Sequence, residues 1–323
     1  MKMQAAYYES KGSARDVLRV GAIEAPQPGP GEVLVRLRIA GVNPTDWRMR
    51  SSGDMPFDRQ VPGQDGAGLI ESVGAGVDAS RVGDRVWVFH AAHRSRHGTA
   101  AQWTIVPAGQ AISLPDHVPF EQAAGLGIPY ITAHRCLADG GDIDGHRILA
   151  TAGAGAVGNA AIALGTWMGA TMIATVSSSE KAELARAAGA SRVLNYRSDE
   201  FRDDLRSSGP FSRIIDVALG ANIDASLDAL ADRGVIAAYA SEARDPVIPV
   251  RSLMMKNATI EFVLVYGSTP SQLASAISDI TAFLEGGGTS ALPTHVYPLE
   301  AVVEAHEAVE AGAVGKVLIR LPD

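Results

Sequence analysis

Apolar and polar positions follow two different textures along this 323-residue chain. Up to about residue 120, short β-rich runs at 33–40, 68–73, 85–89 and 102–106 are broken by turn signals such as Pro28-Gly29-Pro30-Gly31 and Gly74-Ala75-Gly76. That pattern predicts an all-β or α+β unit with little helix. From near Phe120 to about Glu261, apolar runs at 147–152, 171–176, 192–195, 213–217 and 235–240 alternate with helical patterns. Such alternation predicts a parallel sheet covered on both faces. After Phe262 the chain reads as one more β run, helices near 271–285 and 300–311, and a strand at 317–321. There are no repeats and no low-complexity tail.

Residues 148–176 carry no charge, which raises the question of a membrane span. Such a span needs about 20 apolar residues. Here Gly153, Gly155, Gly158, Gly165 and Gly169 punctuate the run, which divides into strand, turn, helix and strand. The first nine residues hold no apolar stretch of signal-peptide length. A cytoplasmic protein with no membrane partner is therefore expected. Length points to two domains, and 46% apolar with 20% charged residues to an ordinary globular chain. The net charge of -8 repels phosphate backbones, so no nucleic acid is expected as a partner. Cys136 is the only cysteine, which excludes an internal disulfide and any cysteine-built zinc site and fits a reducing compartment.

The sharpest motif is Gly153-Ala154-Gly155-Ala156-Val157-Gly158, placed between an apolar strand and an apolar helix. In this G-x-G-x-x-G spacing Gly153 permits a tight turn, Gly155 admits a pyrophosphate, and Gly158 lets helix and strand pack closely. The helix start then offers free N–H groups and a favourable dipole to phosphate. NAD sites place a carboxylate about 20 residues on, to accept from a ribose hydroxyl. Here Val176-Ser177-Ser178-Ser179 stands there instead. Ser177 and Glu180 read as a capping-box pair, with Lys181 in the first helical turn, where the dipole alone disfavours a cation. A 2′-phosphate would offset that mismatch, and Tyr196 after the next strand could donate to it. The expected cofactor is NADPH.

With these residues in hand, the chain resembles the zinc-independent quinone oxidoreductase branch of the medium-chain dehydrogenase/reductase superfamily, the zeta-crystallin-like NADPH:quinone reductases. The matching stretches are Gly41-Val42-Asn43-Pro44, Pro62-Gly63-Gln64-Asp65-Gly66, Val82-Gly83-Asp84-Arg85-Val86, Gly127-Ile128-Pro129-Tyr130-Ile131-Thr132-Ala133, the glycine turn, Asn195-Tyr196-Arg197, Tyr297-Pro298-Leu299-Glu300 and Gly315-Lys316. The resemblance implies an α/β protein: a GroES-like β-rich catalytic domain (1–121, with a return at 262–323) and an inserted Rossmann doubly wound parallel-sheet domain (122–261). It places Asn43 and Thr132 near the nicotinamide, and Gly155, Ala156 and Val157 at the pyrophosphate. Ser177, Lys181 and Tyr196 go to the 2′-phosphate end. Gly220, Ala240, Ser241 and a strand Val263-Leu264-Val265 border the adenosine and carboxamide, and Lys316 approaches from the C-terminal segment. Zinc-dependent relatives carry a Cys and a Gly-His-Glu motif where this chain has Asn43 and Gly63-Gln64-Asp65. Amide side chains are poor zinc ligands, so no metal is expected.

Two departures fall where the second substrate is expected. Arg48, preceded by Trp47, replaces a family Tyr, and Ala240, after Tyr239, replaces a glycine. The implied reaction is hydride transfer to a small, planar, apolar acceptor such as a quinone or enone, with Asn43 bonding the acceptor oxygen. Trp47, Tyr130 and Tyr239 would be walls for a flat ring, and Arg48 a contact for an anionic portion. Alternatives are an enoyl or alkenal reductase, and a crystallin-like or RNA-binding protein that merely holds NADPH. Members of this branch assemble as homodimers or homotetramers, and the apolar run 259–266 could pair edge to edge across a two-fold axis. His90, His93 and His97 hint at a metal, but the neighbouring Arg94 and Arg96 oppose it. Cys136 and His306 read as structural.

Overall fold

The chain begins with an antiparallel pair that the pattern did not single out, β1 (Lys2–Tyr7) with β2 (Arg19–Glu24). Next come β3 (Glu32–Val42), β4 (Asp65–Val73), β5 (Arg85–Val88), β6 (Trp103–Pro107) and β7 (Ala111–Ser113). Within β3, Val35, Leu37 and Ile39 are buried while Arg36 and Arg38 lie half-buried between them, the period-two pattern of a sheet with one face packed. A computed structural model of the chain describes residues 1–139, 141–240 and 245–322. These form two units, Met1–Ile128 with Pro293–Asp323, and Pro129–Leu292.

In the second unit, β8 (Arg147–Ala150), β9 (Thr171–Val176), β10 (Arg192–Asn195), β11 (Phe211–Asp216), β12 (Leu230–Ala238) and β13 (Thr259–Phe262) form a parallel sheet of order β10-β9-β8-β11-β12-β13. The order reverses between β8 and β11, which makes the carboxyl ends of those strands a switch point where ligands bind in open α/β sheets. Leu149, Ile173, Ile214 and Ile236 of the sheet pack with Leu205, Ile223 and Leu227 of its helices. The charge-free stretch resolves into β8, a turn, the helix Ala156–Trp167 and β9. Among the described residues no helix is long and apolar enough to cross a membrane.

The chain then returns to the first unit as β14 (Thr294–Pro298) and β15 (Lys316–Arg320), completing a sheet of order β14-β15-β3-β4-β5-β7, with β6 also paired to β3. Leu299, Val302 and Ala305, at the start of the helix Val302–Glu310, share a core with Val33, Val35, Leu37 and Ile70. The return falls at Pro293, later than the position 262 that the resemblance implies. β13 pairs in register with β12, and the helix Pro270–Glu285 lays Phe283 against Trp167 and Tyr130, with ring centroids 6.1 and 6.0 Å apart. An amphipathic helix announces that one face is buried but not which sheet buries it. The first crossing also comes a little later, at 128 rather than 121. No strand forms over residues 263–265. The chain leaves the sheet after Phe262 and turns through a 3₁₀ segment, Val265–Gly267.

Candidate functional site

The glycine turn sits at the switch point of the second unit. Gly155 is the N-cap of the helix Ala156–Trp167, so Ala156 and Val157 open its first turn with N–H groups free of intrahelical partners. A Cβ at Gly158 would lie 2.4 Å from the carbonyl oxygen of Ala152, so only glycine lets the helix press onto the strand end. Gly153 acts differently from expectation. The left-handed residue is Ala152 (φ 51°), while Gly153 is needed for space, since its Cβ would meet Ala174 of β9 at 2.8 Å. Thr151 ties the two central strands together, its Oγ1 accepting from the Val217 N–H at 3.0 Å.

At the end of β9 the helix cap lies one residue beyond the expected Ser177. Ser178 accepts from the Lys181 N–H at 3.3 Å and caps the helix Ser179–Ala187. That shift releases the Ser177 hydroxyl, which accepts from Lys181 Nζ at 3.2 Å. A hydroxyl and an ammonium therefore stand together where an NAD site keeps a carboxylate. Beside them a cavity of about 490 Å³ opens between strand ends and helices, walled by Thr175, Tyr196, Phe201, Arg202, Ala218 and Asn222 among others. Its size and largely apolar lining suit a flat heterocycle. The last four of these residues carry no motif that sequence could have flagged. Their signal is position alone: they follow the third and fourth strands of a doubly wound sheet. The turn, the Ser177–Lys181 pair and the cavity together fit a dinucleotide.

The remaining expected residues of this unit are less uniform. Thr132 is buried on the helix Gly127–Ala138. Gly220 lies exposed at the start of the helix Leu219–Ala229. Ala240 is half-buried after β12, and Ser241 lies outside the described residues. Val263 donates to the Ala238 carbonyl at 2.8 Å, Leu264 is exposed, and Val265 is buried. The two tyrosines differ, Tyr130 being buried and Tyr239 half-buried. Tyr130 is buried against Phe283 and hydrogen-bonded to Ser290, and burial pushes its phenol up to about 12. Tyr239 donates its N–H to Asp216 at 3.1 Å, and its phenol is raised by burial and then by nearby Cys136 and Asp216.

In the first unit several of the family-like motifs converge on one buried polar cluster. Asn43 caps the helix Pro44–Ser51 and is 1% exposed. Its Nδ2 donates to Asp65 Oδ2 at 2.7 Å, its Oδ1 accepts from Lys316 Nζ at 2.6 Å, and its backbone N–H donates to Asp46 Oδ2 at 2.7 Å. Lys316 Nζ also lies 3.9 Å from Asp65 Oδ2, and the Ile128 N–H donates to the Asp65 carboxylate at 3.0 Å. A Cβ at Gly127 would sit 2.1 Å from Asp65 Oδ1, so glycine there makes room for that carboxylate. Burial raises Asp65, opposed by Lys316, Asn43 and Ile128. Burial likewise lifts Asp46 to about 7 and lowers Lys316, whose charge the two carboxylates defend.

Two expectations change as a result. Asn43 is committed at both ends and sealed from solvent, so it is a keystone rather than a free contact for an acceptor oxygen. Lys316 is spent on the same cluster. On the outer side of the capped helix Trp47 is half-buried and Arg48 exposed, with the guanidinium 5.6 Å from the indole centroid. Elsewhere, burial holds His90 at about 4 and His306 at about 3, and raises the thiol of fully buried Cys136.

Residues 29–116 match the family model described as an alcohol dehydrogenase GroES-like domain, and residues 156–282 the one described as a zinc-binding dehydrogenase. The quinone oxidoreductase of Sus scrofa is 29% identical over 330 residues, covering 99% of this chain and 98% of its own. Among solved structures, a mycobacterial quinone oxidoreductase is 30% identical with a TM-score of 0.84 over 99% of this chain and all of that one. A mycobacterial structure complexed with NADPH gives 30% and 0.83 over the same shares, and an NAD-dependent alcohol dehydrogenase 27% and 0.87. A GroES-like unit combined with a doubly wound unit bearing a phosphate-binding turn is the build of a nucleotide-dependent oxidoreductase. This chain belongs to the medium-chain dehydrogenase/reductase superfamily, in its quinone oxidoreductase-like part. The zinc named in the second description meets an unsuited donor set: Asn43, Gln64 and Asp65 offer no sulfur or imidazole, and an ammonium already lies against two of them.

Proposed function

We propose that this oxidoreductase uses NADPH to reduce a small planar quinone-type acceptor without a metal. The observation that carries the cofactor assignment is the Ser177–Lys181 pair at the end of β9, a hydroxyl and a cation in the place of a carboxylate. When bound, the reduced nicotinamide supplies a hydride. The chain's part is to hold and orient. Ala156 and Val157 offer N–H groups to the pyrophosphate, and Ser177, Lys181 and the half-exposed Tyr196 engage the 2′-phosphate. The apolar cavity beside Phe201 takes the adenine. Asn43 fixes the start of the helix that carries Trp47 and Arg48, whose stacked cation and indole form a surface for a flat acceptor.

A quinone suits this equipment because its reduced oxygen is a mild base that solvent can protonate, so no dedicated strong acid is required. The relatives' names support the quinone reading. Exposed Phe262 and Leu264, with Met254 and Met255 near the open edge of β13, support pairing with a second copy of the chain. The test is Lys181→Ala assayed with both cofactors and with quinone and enal panels. The expected result is a rise of about tenfold or more in the NADPH dissociation constant with little change for NADH, and turnover of quinones. An unchanged cofactor preference would remove the 2′-phosphate assignment, and turnover of enals alone would move the activity to double-bond reduction.

A further inference from the structure

The buried cluster in the first unit contains two carboxylates, Asp46 and Asp65, that are 3% and 0% exposed. A carboxyl so far from water either keeps its proton, as burial favours at Asp46, or stands against a cation, as Asp65 does. One of the two matching family descriptions names zinc; in this chain Asn43 and Asp65 face an ammonium. Lys316 Nζ lies 2.6 Å from Asn43 Oδ1 and 3.9 Å from Asp65 Oδ2. The route by which it arrives is built into the backbone. A Cβ on Gly41 would fall 2.2 Å from the Ala124 carbonyl oxygen and 3.3 Å from Lys316 Cε, so the glycine lets the chain close up beside the lysine stem, which also runs at ordinary contact distance past Gly125. An ammonium only donates hydrogen bonds, and a carboxylate only accepts them. Between the two, the Asn43 amide has one allowed orientation, carbonyl towards Lys316 and NH₂ towards Asp65.

We propose that the Lys316 ammonium is the resident cation of this cluster, a tethered charge that does the assembling work of a metal ion, and that Lys316 is thereby a positioning residue for Asn43 and the helix Pro44–Ser51. The assignment does not depend on which acceptor the protein reduces, and its readouts are independent of turnover. Removing the side chain beyond Cβ leaves the buried Asp65 carboxylate without a cation and an empty space where the lysine stem lay. Replacing it by methionine fills the space but still removes the charge.

The experiment compares melting temperatures of the full chain as wild type, Lys316→Ala, Lys316→Met, and Lys316→Met combined with Asp65→Asn. Each is measured with and without ethylammonium or tetramethylammonium chloride at equal ionic strength, and the wild type also after exhaustive chelation. Both single variants are expected to melt roughly 10 °C lower, as for a broken buried ion pair. Ethylammonium, which can donate hydrogen bonds, should restore at least half the loss in Lys316→Ala and nothing in Lys316→Met. Tetramethylammonium, which cannot donate, should do neither. The double variant, with the charge removed on both sides, should recover part of the loss of Lys316→Met. Chelation should leave the wild-type melting temperature and its NADPH titration unchanged. Equal action of the two ammonium salts, a Lys316→Met protein as stable as the wild type, or a wild type that loses stability on zinc removal would each overturn the proposal. Should Lys316→Ala fail to fold, the Lys316→Met pair and the chelation arm decide between the same outcomes. Loss of NADPH binding by the wild type would instead strike the functional reading and leave this one standing.

Discussion

Asp46→Asn is expected to make the protein more stable at neutral and alkaline pH and to leave it almost unchanged near pH 4. The carboxyl is buried at the N-terminal turn of the helix Pro44–Ser51, and burial raises it from 3.8 to about 7 against the opposing hydrogen bond from Asn43. Below about pH 4 it is protonated in both folded and unfolded chains and makes no difference between them. From there to about pH 7 the unfolded chain releases the proton while the folded chain keeps it, so stability falls as pH rises. Above about 7 both forms are ionised and the penalty is complete. At about 1.4 kcal/mol per pH unit, the rise corresponds to about 4 kcal/mol. Asparagine cannot ionise, and its carbonyl can still accept the Asn43 N–H. Urea denaturation of both proteins from pH 4 to pH 8, followed by tryptophan fluorescence, measures the difference. Trp47, Trp87 and Trp103 report on the unit concerned. The variant should gain steadily, up to about 4 kcal/mol at pH 8. A difference independent of pH, or one that favours the wild type as pH rises, would refute the placement of a buried proton on Asp46.

Other consequences are as direct. Gly158→Ala should abolish cofactor binding and destabilise the second unit by about 1–3 kcal/mol, because the new methyl would meet the Ala152 carbonyl; a variant that binds NADPH normally would contradict the packing described. Phe262→Asp, at an exposed position on the edge strand β13, should turn a dimer into a monomer in sedimentation. A wild type that already sediments as a monomer would remove that interface.

Much of the doubly wound unit was legible because its strands are apolar runs of the right length and its turn carries glycines at fixed offsets. The details that escaped were those with no local signature. Ala152, not a glycine, adopts the left-handed conformation, since the backbone strain of one small residue is outweighed by the packing that Gly153 and Gly158 permit. The cap fell on Ser178 because three consecutive serines offer equivalent hydroxyls, and only the register of the helix on the sheet chooses among them. The Asn43–Asp65–Lys316 cluster joins residues 22 and 273 positions apart. The motifs around Gly41, Gly127 and Gly315-Lys316 could be matched to a family, but that they meet at one point required the fold. Residues 263–292 pack in the second unit rather than the first for a similar reason, since a helical stripe does not name its partner.

The most direct test of the central claim is a fluorescence titration of the purified chain with NADPH and NADH under identical conditions. Saturable one-to-one binding of NADPH, at least tenfold tighter than NADH and reduced to the NADH value in Lys181→Ala, is the expected result. Equal affinity for the two nucleotides, or no binding of NADPH, would contradict it.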